Sequence, residues 1–194
     1  VVATPLIGLG SSSTAFYQVA GTIPLSTITN NTFNNTNAAK RGMRFTIPMN
    51  CRVVGVRYYN NSQTGDYNVA IYDDTTGTAV ELSSSSTAYD GAVNTGSNVG
   101  VSHVYFDNTV TLTAGTTYRV ALEPTSATNV SITTVTLVSA DYRGASPGGT
   151  AVHYTTFVTG GWTDTATNQV PIMDILIDQV DNGAGTGAVG VIGG

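Results

Sequence analysis

Two histidines, one cysteine and twelve carboxylates are the side chains from which this 194-residue chain could build covalent or acid–base chemistry. A hydrolytic triad needs a nucleophile, an imidazole and an orienting acid within hydrogen-bond reach of one another. His103 lies in SHVYF and His153 in AVHYTTF, each alternating with apolar neighbours at strand spacing. That places both on exposed or rim positions, away from any motif. No GxSxG nucleophile elbow occurs. Cys51, in NCRVVGV, has no second cysteine for a disulfide or a metal cluster and reads as a small buried hydrophobe. A glycosidase would need two carboxylates facing across a bond. Asp66, Asp73, Asp74, Asp90, Asp107 and Asp141 instead flank Gly, Asn, Thr or Tyr in turn contexts, where Asp bonds its own backbone. The expectation is a protein with no catalytic residues, not an enzyme.

Two binding chemistries remain open. Hard oxygen ligands on sandwich loops suit structural calcium, and Asp73 with Asp74, or Asp174 with Asp178, are the places for it; plain solvated aspartate is the competing reading. Neither EF-hand spacing nor His/Cys zinc spacing is present, and no other cofactor is expected. Aromatic rings on an exposed face stack on the apolar faces of sugar rings, with polar side chains holding the hydroxyls. Trp162, in TGGWTDTAT between a strand and a polar loop, is the leading candidate, joined by Tyr142 in ADYRG and Tyr154. The competing reading packs Trp162 over the open end of the core.

The elements that must position these residues are strands. From Gly42 onward, short β-branched and aromatic runs alternate with turn clusters, the pattern of an all-β sandwich. GMRFTIP puts Met43, Phe45 and Ile47 on one face; RVVGVRYY puts Val54, Val56 and Tyr58 together; DYNVAIYD aims Tyr67, Val69 and Ile71 inward. A short strand at 79–82 precedes a small-residue stretch, 83–100, long enough to be a binding or contact loop. Val104 and Phe106 oppose His103 and Tyr105, then a TAGTTY turn closes a hairpin with the strand of Tyr118, Val120 and Leu122. Further strands fall at 129–138, 151–158 and 172–180, eight to ten in all. The expected division is an N-terminal arm at 1–37 carrying one or two strands, with an alternating segment at 15–20 and TITNNTFNNTN at 27–37 turn-forming, then a sandwich at 38–181 and a Gly-rich tail at 182–194.

Composition narrows the partners. Charged residues are only 10% of the chain, against about 25% in ordinary soluble domains, and the formal charge is −5. Lys40, Arg41, Arg44, Arg52 and Arg57 cluster in sequence, yet strand alternation spreads them over two faces, so no nucleic-acid footprint is expected. The apolar runs are too short and broken for a spanning helix, and no membrane partner is expected.

Residues 38–138, through AAKRGMRFTIPMNCRVVGVRYY, GDYNVAIYD and HVYFDNTVTLTAGTTYRVALEP, resemble jelly-roll β-sandwich modules related to carbohydrate-binding domains. Such modules occur on secreted bacterial proteins and in bacteriophage structural proteins. The resemblance implies a two-sheet antiparallel jelly-roll sandwich. It also implies a virion-surface or extracellular setting: a homo-oligomeric phage structural protein for head decoration, a head fibre or the tail, assembling through sandwich faces and terminal arms and contacting capsid or tail proteins. Two alternatives stay open, a carbohydrate-binding adhesive module that grips a surface glycan and a subunit of an extracellular filament or surface layer.

Overall fold

The computed structural model describes residues 25–47, 49–60, 65–85, 100–137, 152–165 and 169–181. Among them run twelve strands: β1 (Leu25–Phe33), β2 (Lys40–Thr46), β3 (Asn50–Asn60), β4 (Tyr67–Asp73), β5 (Val80–Ser84), β6 (Gly100–Leu112), β7 (Thr117–Pro124), β8 (Val130–Leu137), β9 (His153–Val158), β10 (Gly161–Asp164), β11 (Gln169–Pro171) and β12 (Met173–Asp181). All pairings are antiparallel and form three ladders, β10-β9-β2-β7-β4-β5, β1-β8-β11 and β12-β3-β6. The fold is thus all-β, with the strand number above the eight to ten expected because β10 and β11 are too short to read from periodicity. No helix among the described residues is long and apolar enough to cross a membrane.

One apolar cluster joins the three ladders. It takes Met43, Phe45, Val69, Ile71, Val120 and Leu122 from the six-stranded sheet, and Val53, Val56, Val104, Leu112, Phe33 and Ile132 from the other two. Side chains of this size stabilise by about 1.5–3 kcal/mol each when fully buried. The two smaller ladders are also joined covalently. β11 pairs with β8 and β12 with β3, and between them Ile172 donates its N–H to Thr133 O and accepts from Tyr59 N at its own carbonyl. Apart from β4–β5 and β9–β10, successive strands change ladder, so sequence neighbours lie in different sheets.

Four expectations shift. The Asn/Thr run is mostly strand: β1 pairs with β8 along its length and delivers Phe33 to the core, so the sheet starts at Leu25, inside the segment expected to be an arm. Its polar side chains are matched by the Thr-rich β8, as in the Asn31 Nδ2 bond to Thr134 Oγ1, and turn geometry is confined to the residues just after it, where Asn37 has φ 60°. On β3, Val53 is buried and Val54 half-buried, because the pairing slips between Val53 and Gly55 and reverses the alternation. Gly55 is required there, since a Cβ would lie 2.2 Å from Val104 O. The TAGT turn does not close a hairpin: β6 belongs to the β3 ladder and β7 to the six-stranded sheet, with Gly115 at φ 79° turning the chain across. The stretch expected as a long loop contributes its first residues to β5 and its last to β6; residues 86–99 between them lie outside the described residues, as do 1–24 and 182–194.

Candidate ligand-binding face

The outward face of the six-stranded sheet carries a lane of small residues with long ones on either side. Register aligns Asp164, Thr155, Gly42, Ala121 and Ala70 across β10, β9, β2, β7 and β4. One flank holds Trp162 opposite Phe157 and Phe157 opposite Lys40; the other holds His153, Arg44, Arg119 and Tyr72 in line. Strand alternation explains the segregation: Met43, Phe45, Val120 and Leu122 point inward, so Lys40, Gly42, Arg44, Arg119, Ala121 and Glu123 must point out.

The lane gives long side chains room to lie flat. Arg119 reaches Thr155 and Asp164 with one terminal nitrogen, and with the other contacts Asp74 at 3.0 Å. Asp74 also accepts from Arg44 Nε at 2.7 Å, and Arg44 stands 3.4 Å from Asp164. Asp74 and Arg119 are buried, with 2% and 7% of their side chains exposed, and Arg119 Nε has no hydrogen-bond partner among the described residues. A buried charge of either sign is tolerated only when paired. Tyr72 reaches across the lane and donates to Glu123 on the opposite flank, which also takes Lys40 Nζ at 2.8 Å. Burial first, then the Glu123 charge and bond, push the Tyr72 hydroxyl far above the usual tyrosine range.

Trp162 ties the two flanks together. Its ring lies 5.4 Å from Tyr72 and 5.3 Å from Phe157, both near edge-to-face, and the Arg119 guanidinium sits 5.2 Å from it. Lys40 Nζ is over the Tyr72 and Phe157 rings at 5.1 and 5.7 Å. Trp162, Phe157, Lys40, Arg44, Glu123 and Asp164 are half-buried, whereas Tyr72, Asp74, Arg119 and Thr155 are buried beneath them. An accessible layer of two aromatic rings, two cations and two carboxylates therefore rests on a buried layer that fixes its geometry.

The sequence candidates divide accordingly. Trp162 stands on this outer face and not over the end of the core. Tyr154 points the other way into the core at 4% exposure, because it alternates with Thr155, so it is no part of a sugar platform. Tyr142 lies outside the described residues. Asp73 and Asp74, adjacent on an extended chain, diverge: Asp73 accepts from Thr75 N and Oγ1 in a local turn, while Asp74 is taken by two guanidinium groups. Asp174 and Asp178 are paired with Arg57 at 2.8 Å and Arg52 at 2.7 Å. Among the described residues no three His, Cys, Asp or Glu side chains converge as a metal site would require. His103 is exposed on β6 and His153 half-buried on β9, in different sheets. Cys51 is buried in the core, which pushes its thiol up to about 11.

Sequence reasoning missed Arg119, Tyr72, Glu123 and Asp164. The signal was present as a polar-small-polar alternation opposite the core positions: Lys40-x-Gly42-x-Arg44, Arg119-x-Ala121-x-Glu123 and Asn68-x-Ala70-x-Tyr72. No protein-family model matches the chain, and no curated protein matches it.

Proposed function

We propose that this chain is a non-enzymatic surface module that binds glycan through the outer face of its six-stranded sheet, carried on a bacteriophage particle as a virion structural protein. The observation that carries the binding half is the half-buried Trp162, set beside Phe157 and Tyr72 on a face that also presents Lys40, Arg44, Glu123 and Asp164. An aromatic platform bordered by fixed donors and acceptors is what a sugar needs, since its CH faces stack and its hydroxyls bond. A sheet also supports such a site more rigidly than loops do. The resemblance of residues 38–138 to modules of phage structural proteins supports the setting, as do the exposed apolar side chains Val80 and Leu82 on β5 and Val101 and Tyr105 on β6, available for contacts in a particle.

A glycan array probed with the full chain and with Trp162→Ala tests the binding role. The expected result is retention of a defined set of glycans by the parent chain and loss of that set in the variant, with near-ultraviolet circular dichroism showing both folded. A folded parent chain that retains no glycan would overturn the reading.

A further inference from the structure

We infer that the ligand of this face is an uncharged glycan, and that sugars bearing carboxylate or sulfate are refused. The inference rests on the glycan reading above and adds the ligand's charge class.

Each cation of the accessible layer is held against a carboxylate, and Glu81, opposite Tyr72 on β5, adds a further exposed carboxylate to the same face. Lys40 Nζ lies 2.8 Å from Glu123, and Arg44 lies 3.4 Å from Asp164. Beneath them Arg119 and Asp74 add one further charge of each sign, 3.0 Å apart. Such a face projects no net field that would gather an anion from solution. A sugar carboxylate brought to Lys40 would also meet Glu123, and one brought to Arg44 would meet Asp164, so attraction and repulsion arrive together. A hydroxyl does not face that conflict, because it donates to a carboxylate and accepts from an ammonium or guanidinium at once. Cationic ligands are disfavoured from the other direction: Lys40 Nζ and the Arg119 guanidinium already lie against the Tyr72, Phe157 and Trp162 rings. Phe157 and Trp162 stay half-buried, side by side, with paired charges close by. That arrangement accepts the CH face of a neutral hexose and grips its rim.

The test compares soluble polysaccharides matched in backbone and differing in charge, galactan against polygalacturonate and a neutral against a carboxymethylated β-glucan. The full chain is titrated with each by calorimetry at about 20 mM and about 500 mM NaCl, which spans weak to strong screening. The expected result is binding to a neutral polymer that changes less than about twofold with salt, at least about tenfold weaker binding to its acidic counterpart, and loss of the neutral binding in Phe157→Ala as well as Trp162→Ala. Ile28→Ala, an exposed site on β1 in another sheet, serves as the folded control that keeps binding. Tighter, salt-sensitive binding of the acidic polymer would overturn the charge assignment while leaving the glycan reading in place. A folded chain that binds neither member of any pair sinks both.

Discussion

Removal of the Asp74 carboxylate probes the layer on which the outer face rests. Asp74 is the shared anion of Arg44 and Arg119, at 2.7 and 3.0 Å, and its side chain is 2% exposed. In Asp74→Ala, Arg44 turns to water, but Arg119 is 7% exposed and has no route to solvent of its own. Breaking a buried pair from one side costs about 3–5 kcal/mol when the survivor is left uncompensated. Here Asp164 still holds Arg119, so about half of that remains, near 2 kcal/mol. With a urea slope of about 2 kcal/mol/M, the unfolding midpoint falls by about 1 M. The order of effects is as informative as the size. Asp164→Ala costs less, since its side chain is 28% exposed and water replaces part of the loss. Asp178→Ala, in an exposed pair with Arg52, leaves the midpoint unchanged. Coupling Asp74→Ala with Arg119→Met recovers much of the loss, because the stranded charge is gone. Urea unfolding followed by tryptophan fluorescence at Trp162 measures all four. A midpoint for Asp74→Ala within error of the parent, or a cost for Asp178→Ala as large as that for Asp74→Ala, would refute the argument that burial sets the value of these charges.

Two further outcomes follow from the same face. Gly42→Ala places a Cβ 1.8 Å from Val120 O and 2.7 Å from Ala121 Cα, both backbone, so β2 and β7 must separate; the variant is expected to lose at least about 3 kcal/mol or to fail to fold, as judged by urea unfolding, and a parent-like midpoint would contradict that close approach. Acid stability should follow Asp164. Burial alone would raise its carboxyl, but bonds from Arg119 and Thr155 and the Arg119 and Arg44 charges outweigh this and hold it below the usual carboxylate range. A carboxylate depressed on folding contributes fully above its unfolded value of about 3.9 and loses that contribution as pH falls through the lower folded value. Urea midpoints should thus be level between about pH 5 and 7 and fall below about pH 4 in the parent, with a shallower fall in Asp164→Asn; equal slopes in the two proteins would count against it.

How much could be read in advance differs between the two faces of each strand. The inward face was legible: Met43, Phe45 and Ile47, then Tyr67, Val69 and Ile71, then Tyr118, Val120 and Leu122, all lie in the core, because burial demands apolar residues at period two. Val54 failed the same rule because the pairing slip at Val53 and Gly55 depends on β6, a partner no local pattern reveals. β1 was misread because Asn and Thr favour turns alone but pair well against Thr133 and Thr134 of β8, some hundred residues away. Trp162 was legible as a candidate from its neighbours in sequence. Its surroundings were not, since Tyr72, Arg119 and Asp164 are brought beside it only by the strand order β10-β9-β2-β7-β4. The arginines near Lys40 were correctly divided between faces, with Lys40 and Arg44 outward and Arg41 against the Phe33 ring at 5.0 Å.

The passage of the chain through Ile172 bears on how the molecule comes apart. Because one uninterrupted run, 169–181, is hydrogen-bonded first to β8 and then to β3, neither of the smaller ladders can peel away without pulling on the other through a single residue. The run behaves like a shared seam, so a load applied to β8 reaches β3 through it. The seam therefore couples the opening of the two smaller ladders, so that β8 and β3 are expected to lose protection together instead of one after the other.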